Sequence, residues 1–418
     1  MRAALVPVAE GHVELGIEVS GDPECHLQPE YRAQVRLALD SQGGGTSYRR
    51  TRPHRRTRTL VTRHEGDRGS AHRATAVVRP ALGLLRCVYD LGCRRAGVKA
   101  VLYERYGSPD VLHVEDVPMP LPATGQVRVK VAATSVNLSD WECLRGSPAY
   151  ARLGGLRYPA RRTLGSDIAG VVDVVGEAVT GFRPGDEVYG DNLGLMGGFA
   201  EYALAPESAL AHKPAQLTFA EASTIPQAGA IALQGTEIAS SGKRVLINGA
   251  GGGTGSFAIQ LAKRLGAHVT GVDNATKQDF MRSMGADDVI DYRRDDFTRT
   301  TRPYNLVLDL VAHRSVFAYR RALTSGGRYR CVGGSVPTLL RVLTVGSVVG
   351  RLGGRSIGVL VLKEGPAHFE PLADLCVAGE VRIHIDRTFT LDEVPTALAH
   401  VGQGRALGKV VVIPNVES

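Results

Sequence analysis

The rhythm of apolar and polar positions changes at residue 98. Residues 1–97 mix Gly, Arg, Pro and His with short apolar pieces such as 77–85 and hold no sustained period, which predicts mostly unstructured chain. From Val98, the segment VKAVLYERYGSPDVLHVEDVPMP alternates as a strand, breaks at Gly107-Ser108-Pro109 and alternates again. The abruptness of the change suggests that Val98 is the true initiator, read from a valine codon, and that the preceding stretch is a gene-calling extension. Residues 126–137 (QVRVKVAATSVN) alternate once more, and residues 163–190 give short β runs punctuated by Gly165, Gly170, Gly176, Gly181 and Gly185. Such punctuation predicts a β-rich barrel with tight turns, to which residues 197–206 add a strand.

After Pro214 the period lengthens to that of helices. Further strands are expected at 288–292, 306–311, 328–332 and 356–360, separated by helices at 277–284 and 316–323. Repeated β and α elements imply a doubly wound parallel sheet. Residues 382–389 and 409–413 are β again and are expected to return to the first domain. Residues 335–355 fit either a mobile flap or a packed helix.

One stretch organises the whole. Residues 244–273, RVLINGAGGGTGSFAIQLAKRLGAHVTGVD, open with the apolar run Val245, Leu246 and Ile247, a buried strand. A glycine cluster follows, then Phe257, Ile259, Leu261, Ala262 and Leu265, most of them on one helical face, with Gly266 closing the helix. Residues 268–272 form the next strand. Strand, glycine turn, helix and strand within about 30 residues is the unit that binds dinucleotides. The spacing Gly249-x-x-Gly252-x-x-Gly255 departs from G-x-G-x-x-G by one residue in its first interval. A diphosphate there needs bare backbone N–H groups at the helix N-terminus, and a Cβ holds it off. Gly249, Gly252, Gly253, Thr254 and Gly255 are therefore the candidate cofactor-binding turn, with Asp273 at the end of the second strand.

Length and charge bound the rest. At 418 residues the chain has room for two domains and large cores. No apolar run has the length of a membrane span and no signal peptide opens the chain, so a cytoplasmic protein is expected. The net charge of +8 is unevenly placed: residues 1–97 hold 16 Arg and no Lys against 10 acidic residues, leaving an excess of +2 for the remainder. The basic run at 48–73 has no interleaved aromatic or helical pattern, which favours a solvated tail over a nucleic-acid contact. Six cysteines without a C-x-x-C pair argue against a disulfide framework and a structural zinc site.

Several phrases, in order, resemble the medium-chain dehydrogenase/reductase superfamily and its zinc-free quinone-oxidoreductase branch. They are KAVLYERYGSPDVL (99–112), NLSDWECLRG (137–146), LGSDIAGVVDVVGEAVTGFRPGDEV (164–188), GGFAEY (197–202), GAGGGTGSFAIQLAK (249–263) and MGADDVIDY (284–292). The resemblance implies an α/β chain in which a GroES-like β-barrel catalytic domain accompanies a Rossmann doubly wound parallel sheet. The expected division is an N-terminal extension at 1–97, the catalytic domain at 98–222, the dinucleotide-binding domain at 223–362, and a return to the catalytic domain at 363–418. Zinc members carry a Cys where Asn137 stands and a His-Glu pair where Ser166 and Asp167 stand. Asn and Ser are poor zinc ligands, so no metal is expected, and alcohol oxidation loses the Lewis acid it needs.

What remains is hydride delivery from a nicotinamide to quinones or α,β-unsaturated carbonyls, whose developing charge needs only hydrogen-bond donors. Asn137 is the candidate for that polar work, or else a turn-capping Asn. Asp140 is expected to orient its neighbours, with Arg145 as its ion-pair partner; Tyr150 and Tyr158 are proton donors only if they line the cleft. Asp273 favours NAD by repelling a 2′-phosphate. Lys277 and Tyr292 match positions resembling the family's NADP phosphate site, and Asn274 and Thr276 add donors, tipping the balance slightly to NADP; Lys277 also fits an exposed helix residue. A homodimer joined at the strand near 356–360 is expected. The rivals are an alcohol dehydrogenase of the same fold and a low-turnover NAD(P)H-binding sensor or structural protein.

Overall fold

The computed structural model describes residues 2–8, 12–18, 36–38, 97–351 and 354–414. The chain divides into two compact units, Met1–Cys93 and Arg94–Ser418. In the first, strands β1 (Arg2–Val8), β2 (His12–Glu18) and β3 (Arg36–Ala38) form an antiparallel sheet in that order. These three strands are exceptions within a stretch expected to be mostly unstructured, the rest of which, to residue 96, lies outside the described residues. The missed signal is the alternation of Val13, Leu15 and Ile17 with Glu14, Gly16 and Glu18, a period of two. The apolar piece at 77–85 and the basic run at 48–73 lie outside the described residues.

The second unit opens with the hairpin β4 (Val98–Leu102) and β5 (His113–Val117), turned at Pro109–Val111. A seven-stranded sheet follows, made of β6 (Gln126–Val136), β7 (Asp167–Val175), β8 (Glu187–Asp191), β9 (Tyr202–Pro206), β10 (Leu210–His212), β17 (Ile385–Thr390) and β18 (Lys409–Ile413). Its order is β10-β8-β7-β6-β18-β17, with β9 also on β6. All its pairs are antiparallel except β17 with β18. The eleven-residue β6 is its spine: Val127, Val129 and Val131 point into one core, as their spacing by two requires. β18 comes back to β6 from the far end of the chain and brings Lys409 with it.

The other large sheet contains β11 (Arg244–Asn248), β12 (His268–Asp273), β13 (Asp288–Asp291), β14 (Tyr304–Asp309), β15 (Leu323–Cys331) and β16 (Ser356–Val359). Its order is β13-β12-β11-β14-β15-β16, and every pair is parallel. Val245, Leu246 and Ile247 are wholly buried, the continuous apolar run of a strand covered on both faces. The helix Gly253–Arg264 packs Phe257, Ile259, Leu261 and Ala262 into this core; Leu265 stands past its last turn and is exposed. Gly266, at φ 79°, ends the helix as its position predicts. Residues 336–351 are helical, with Val342, Gly346 and Gly350 buried, and a Cβ at Gly346 would meet Ile357 of β16 at 2.9 Å. Of the two expectations for this segment, flap or packed helix, the helix is the one observed.

The chain runs outward from β11 to β13, returns, and runs outward again from β14 to β16. The strand order reverses between β11 and β14, so the loops leaving those two strands diverge and open a crevice.

Candidate functional site

A cavity of about 820 Å³ occupies this crevice and reaches the barrel sheet. One wall is the glycine turn. Gly249 has φ 84°, a conformation side chains rarely adopt, and Gly252 precedes the helix in extended backbone. No side chain caps this twelve-residue helix. Its first-turn N–H groups therefore face the cavity, where Gly252, Gly253, Thr254 and Gly255 all lie. A Cβ on Gly255 would stand 2.4 Å from Gly249 O and 2.5 Å from Ala250 Cα, whereas one on Gly252 would meet only Gly249 O at 3.6 Å. Close packing thus explains Gly255, and Gly252 leaves open space before bare amides. This cradle fits the diphosphate of a nicotinamide dinucleotide.

Asp273, at the end of β12, is largely committed to the protein. Its Oδ2 accepts from Gly251 N at 3.1 Å, and its Oδ1 accepts from Asn274 N at 2.8 Å. Lys277 Nζ stands 3.7 Å from Oδ2, and Lys277 is 3% exposed, which corrects its alternative as an exposed helix residue. Burial lowers the Lys277 pKa while Asp273 holds it up. Tyr292 and Arg293 line the same end, with the Arg293 guanidinium 5.7 Å from the Tyr292 ring centroid. Thr276 donates to Asn274 Oδ1, so its hydroxyl shapes the loop. Arg293 is not evident from the sequence alone; a basic residue directly after Tyr292 is the available signal.

The opposite wall comes from the barrel sheet and the helix Leu138–Arg145. Asn137 occupies the N-cap position of that helix, but its side chain does not cap it. Asp140 does so instead: its Oδ2 accepts from Asn137 N at 2.8 Å and its Oδ1 from Gly165 N and Ser166 N at 3.1 Å. Asp140 thus orients the loop that carries Asn137 and Ser166. Arg145 is not its partner; the guanidinium lies 5.2 Å from the Trp141 ring centroid. Complete burial pushes the Asp140 carboxyl up to about 7, the backbone donors opposing.

Asn137 is bonded on every polar atom. Its Nδ2 donates to Ser166 Oγ at 3.0 Å and to Asp167 Oδ2 at 2.8 Å, and its Oδ1 accepts from Lys409 Nζ at 2.7 Å. Asp167, wholly buried, also accepts from Ser135 Oγ at 2.8 Å and Gln227 N at 3.0 Å, and Lys409 Nζ lies 3.4 Å from its Oδ2. Burial lowers the Lys409 pKa and the Asp167 charge raises it again. Asp191, also on the cavity wall, is pushed up to about 7 by burial and then by Asp167. Lys409 was missed because it is 272 residues from Asn137 and reads as an ordinary strand-edge lysine.

Tyr150 donates to Glu142 Oε2 at 3.1 Å, and Glu142 lines the cavity. Tyr158 is 70% exposed, which makes it a surface residue. Among the described residues no group of three His, Cys, Asp or Glu side chains is placed to hold a metal. At the positions where zinc relatives hold their ion, the donors here are an amide, a hydroxyl and one carboxylate, with an ammonium on the amide oxygen. That set does not fit zinc.

Two family models match this chain: the alcohol dehydrogenase GroES-like domain over residues 123–215 and the zinc-binding dehydrogenase domain over residues 284–412. The chain is 32% identical over 335 residues to the chloroplastic quinone-oxidoreductase QR1 of Triphysaria versicolor, covering 76% of this chain and 98% of that protein. It is 34% identical to the 2-methylene-furan-3-one reductase of Solanum lycopersicum, covering 76% and 79%. The solved quinone oxidoreductase of Coxiella burnetii superposes with a TM-score of 0.68 at 29% identity, over 76% of this chain and 99% of that one.

Proposed function

Because the chain belongs to the quinone-oxidoreductase branch of the medium-chain dehydrogenase/reductase superfamily, we propose that it reduces quinones or α,β-unsaturated carbonyls with NAD(P)H and without a metal. The observation that carries this reading is the buried Asn137–Asp167–Lys409 cluster on the wall facing the glycine turn. It is a fixed polar wall whose hydrogen bonds are satisfied within the protein, and it lacks the ligands an alkoxide-binding zinc requires. Bound nicotinamide supplies a hydride. An enone would accept that hydride at its β-carbon, leaving charge on the carbonyl oxygen, and a proton from solvent at the α-carbon would complete the reduction. The protein's part would be to hold the dinucleotide at residues 249–255 and orient the acceptor.

NADPH is the proposed cofactor. Asp273 is paired with Lys277 and backbone N–H groups, which offsets its repulsion of a 2′-phosphate, while Tyr292 and Arg293 supply a donor and a positive charge at the same end. A homodimer is proposed across β16, the edge strand of the parallel sheet, beside which Leu340, Leu343, Val345 and Val348 are exposed. The compartment proposed is the cytoplasm; no helix among the described residues is long and apolar enough to cross a membrane.

The deciding experiment is NADPH and NADH oxidation with a panel of small quinones and enones, run with and without chelator alongside zinc analysis of the protein. Turnover that survives chelation supports the proposal. Turnover only of alcohols, or activity that follows zinc, ends it. KM for both cofactors in wild type and Asp273→Ala tests the cofactor assignment, and an NADH preference unchanged in the variant removes Asp273 from it.

A further inference from the structure

The amide of Asn137 has spent both its donors on Ser166 and Asp167, and its oxygen is held by Lys409. An amide so placed can turn in only one sense. Were it flipped, its NH2 would face the ammonium and its oxygen the Asp167 carboxylate, with repulsion at both contacts. Lys409 has the means to fix this orientation, since it is 2% exposed and shares its charge between Asn137 Oδ1 and Asp167 Oδ2. Its stem lies against the other wall: a Cβ on Gly253 would stand 2.5 Å from Lys409 Cδ. The preceding residue ties the same two walls, because Gly408 N donates to Gly251 O at 3.1 Å.

We infer that Lys409 is a positioning residue, an internal cation that locks Asn137 and Asp167 in register with the glycine turn and takes over the ordering role that a metal plays in zinc relatives. The inference rests on the metal-free reduction proposed above. It differs from cofactor anchoring, because the ammonium is directed into the Asn137–Asp167 pair while only hydrocarbon crosses the glycine turn.

The test compares Lys409→Met, Lys409→Arg, Asn137→Ala and the double variant Lys409→Met/Asn137→Ala, using the best acceptor of the wild type. Loss of a positioning group lowers kcat by about 100-fold in Lys409→Met with NADPH dissociation constant changed less than about threefold. Lys409→Arg restores part of the rate, and the double variant is no slower than the slower single variant, since both remove one unit. Propylammonium added to Lys409→Ala recovers activity and propanol does not. Full kcat in Lys409→Met, effects that multiply in the double variant, or a loss confined to NADPH binding each overturns the inference. Should Lys409→Met fail to fold, Lys409→Met/Asp167→Asn removes both charges together and is compared with Asp167→Asn in its place. The side-chain amide signals of Asn137 in ¹⁵N-asparagine-labelled protein keep this separate from the proposed function. Loss of their hydrogen-exchange protection in Lys409→Met supports the positioning role even if the wild type turns over no quinone or enone, and retained protection refutes it.

Discussion

Gly252→Ala separates cofactor binding from folding, because the glycine turn gives its members different reasons to lack a side chain. At Gly252 the backbone is extended, with φ −94° and ψ −177°, which alanine adopts without strain. The added methyl meets nothing nearer than Gly249 O at 3.6 Å, an ordinary van der Waals contact. Unfolding free energy is therefore expected to change by no more than about 1 kcal/mol, the usual cost of alanine at an N-cap. The methyl projects beside the unpaired first-turn amides, where an anion must approach to hydrogen-bond distance. Charge-assisted hydrogen bonds contribute about 1.5–3 kcal/mol each. Losing one raises the NADPH dissociation constant about 10- to 100-fold at about 1.4 kcal/mol per decade. Calorimetric titration with NADPH and urea unfolding of the same preparations supply the two numbers. The control is Gly255→Ala, whose methyl would lie 2.4 Å from one backbone atom and 2.5 Å from another, so it is expected to lose several kcal/mol of stability. If Gly252→Ala binds NADPH as the wild type does, the diphosphate does not lie on this turn. If both variants unfold alike, the distinction drawn between the two glycines is wrong.

Arg293→Ala is expected to raise KM for NADPH about tenfold, the scale of one lost surface charge contact to phosphate, while leaving KM for NADH within about twofold; parallel changes in both remove Arg293 from the 2′-phosphate site. Leu343→Glu with Val348→Glu, on the face beside β16, is expected to convert a dimer to monomer in light scattering, and an unchanged mass at micromolar concentration counts against that face. Asp191→Asn tests the raised carboxyl. Its folded pKa of about 7 exceeds the unfolded value of 3.8, so the wild type carries this group's full stability below the lower value and loses it as pH rises through the upper one. The neutral variant is spared that loss, so its stability relative to wild type climbs between about pH 5 and pH 7 with a limiting slope of about 1.4 kcal/mol per pH unit. A flat difference across that range shows that Asp191 is ionised in the fold without penalty.

Where an element announces its period in a few consecutive residues, the sequence identifies it well. Val245-Leu246-Ile247 followed by glycines predicts β11 and its helix, and the alternation in QVRVKVAATSV predicts β6, because in both cases the diagnostic pattern is complete within a few consecutive residues. The strand His12–Glu18 carries a comparable alternation, hidden by the Arg- and Gly-rich chain that follows it. Averaging over a long stretch dilutes a signal only one strand in length. Leu265 marks the limit of such spacing: it follows Phe257 and Leu261 at intervals of four but stands beyond the last helical turn, where the chain reversal at Gly266 leaves it exposed.

The site divides along the same line. The glycine turn is nearly contiguous, and a dinucleotide cradle needs little more than one helix N-terminus, so residues 249–255 disclose it. The polar wall is built otherwise. Asn137 and Ser166 are 29 residues apart, Asp167 and Gln227 are 60 apart, and Lys409 is 272 from Asn137. They meet only because β18 inserts beside β6 in a sheet whose order departs from chain order. A lysine opening a C-terminal strand carries no local sign of burial; that it is 2% exposed follows from where the strand lands. Its cost is offset chiefly by Asp167, which is buried by a different strand, with Asn137 Oδ1 accepting from the ammonium and Asp140 and Asp191 adding negative charge nearby. Removing either member of the ion pair alone strands a charge at about 3–5 kcal/mol. Each half of the pair is therefore unfavourable in the absence of the other. A sequence read residue by residue reports Asp167 as half a lost metal site and Lys409 as a surface cation, and the physical sense of both appears when the two strands are placed side by side.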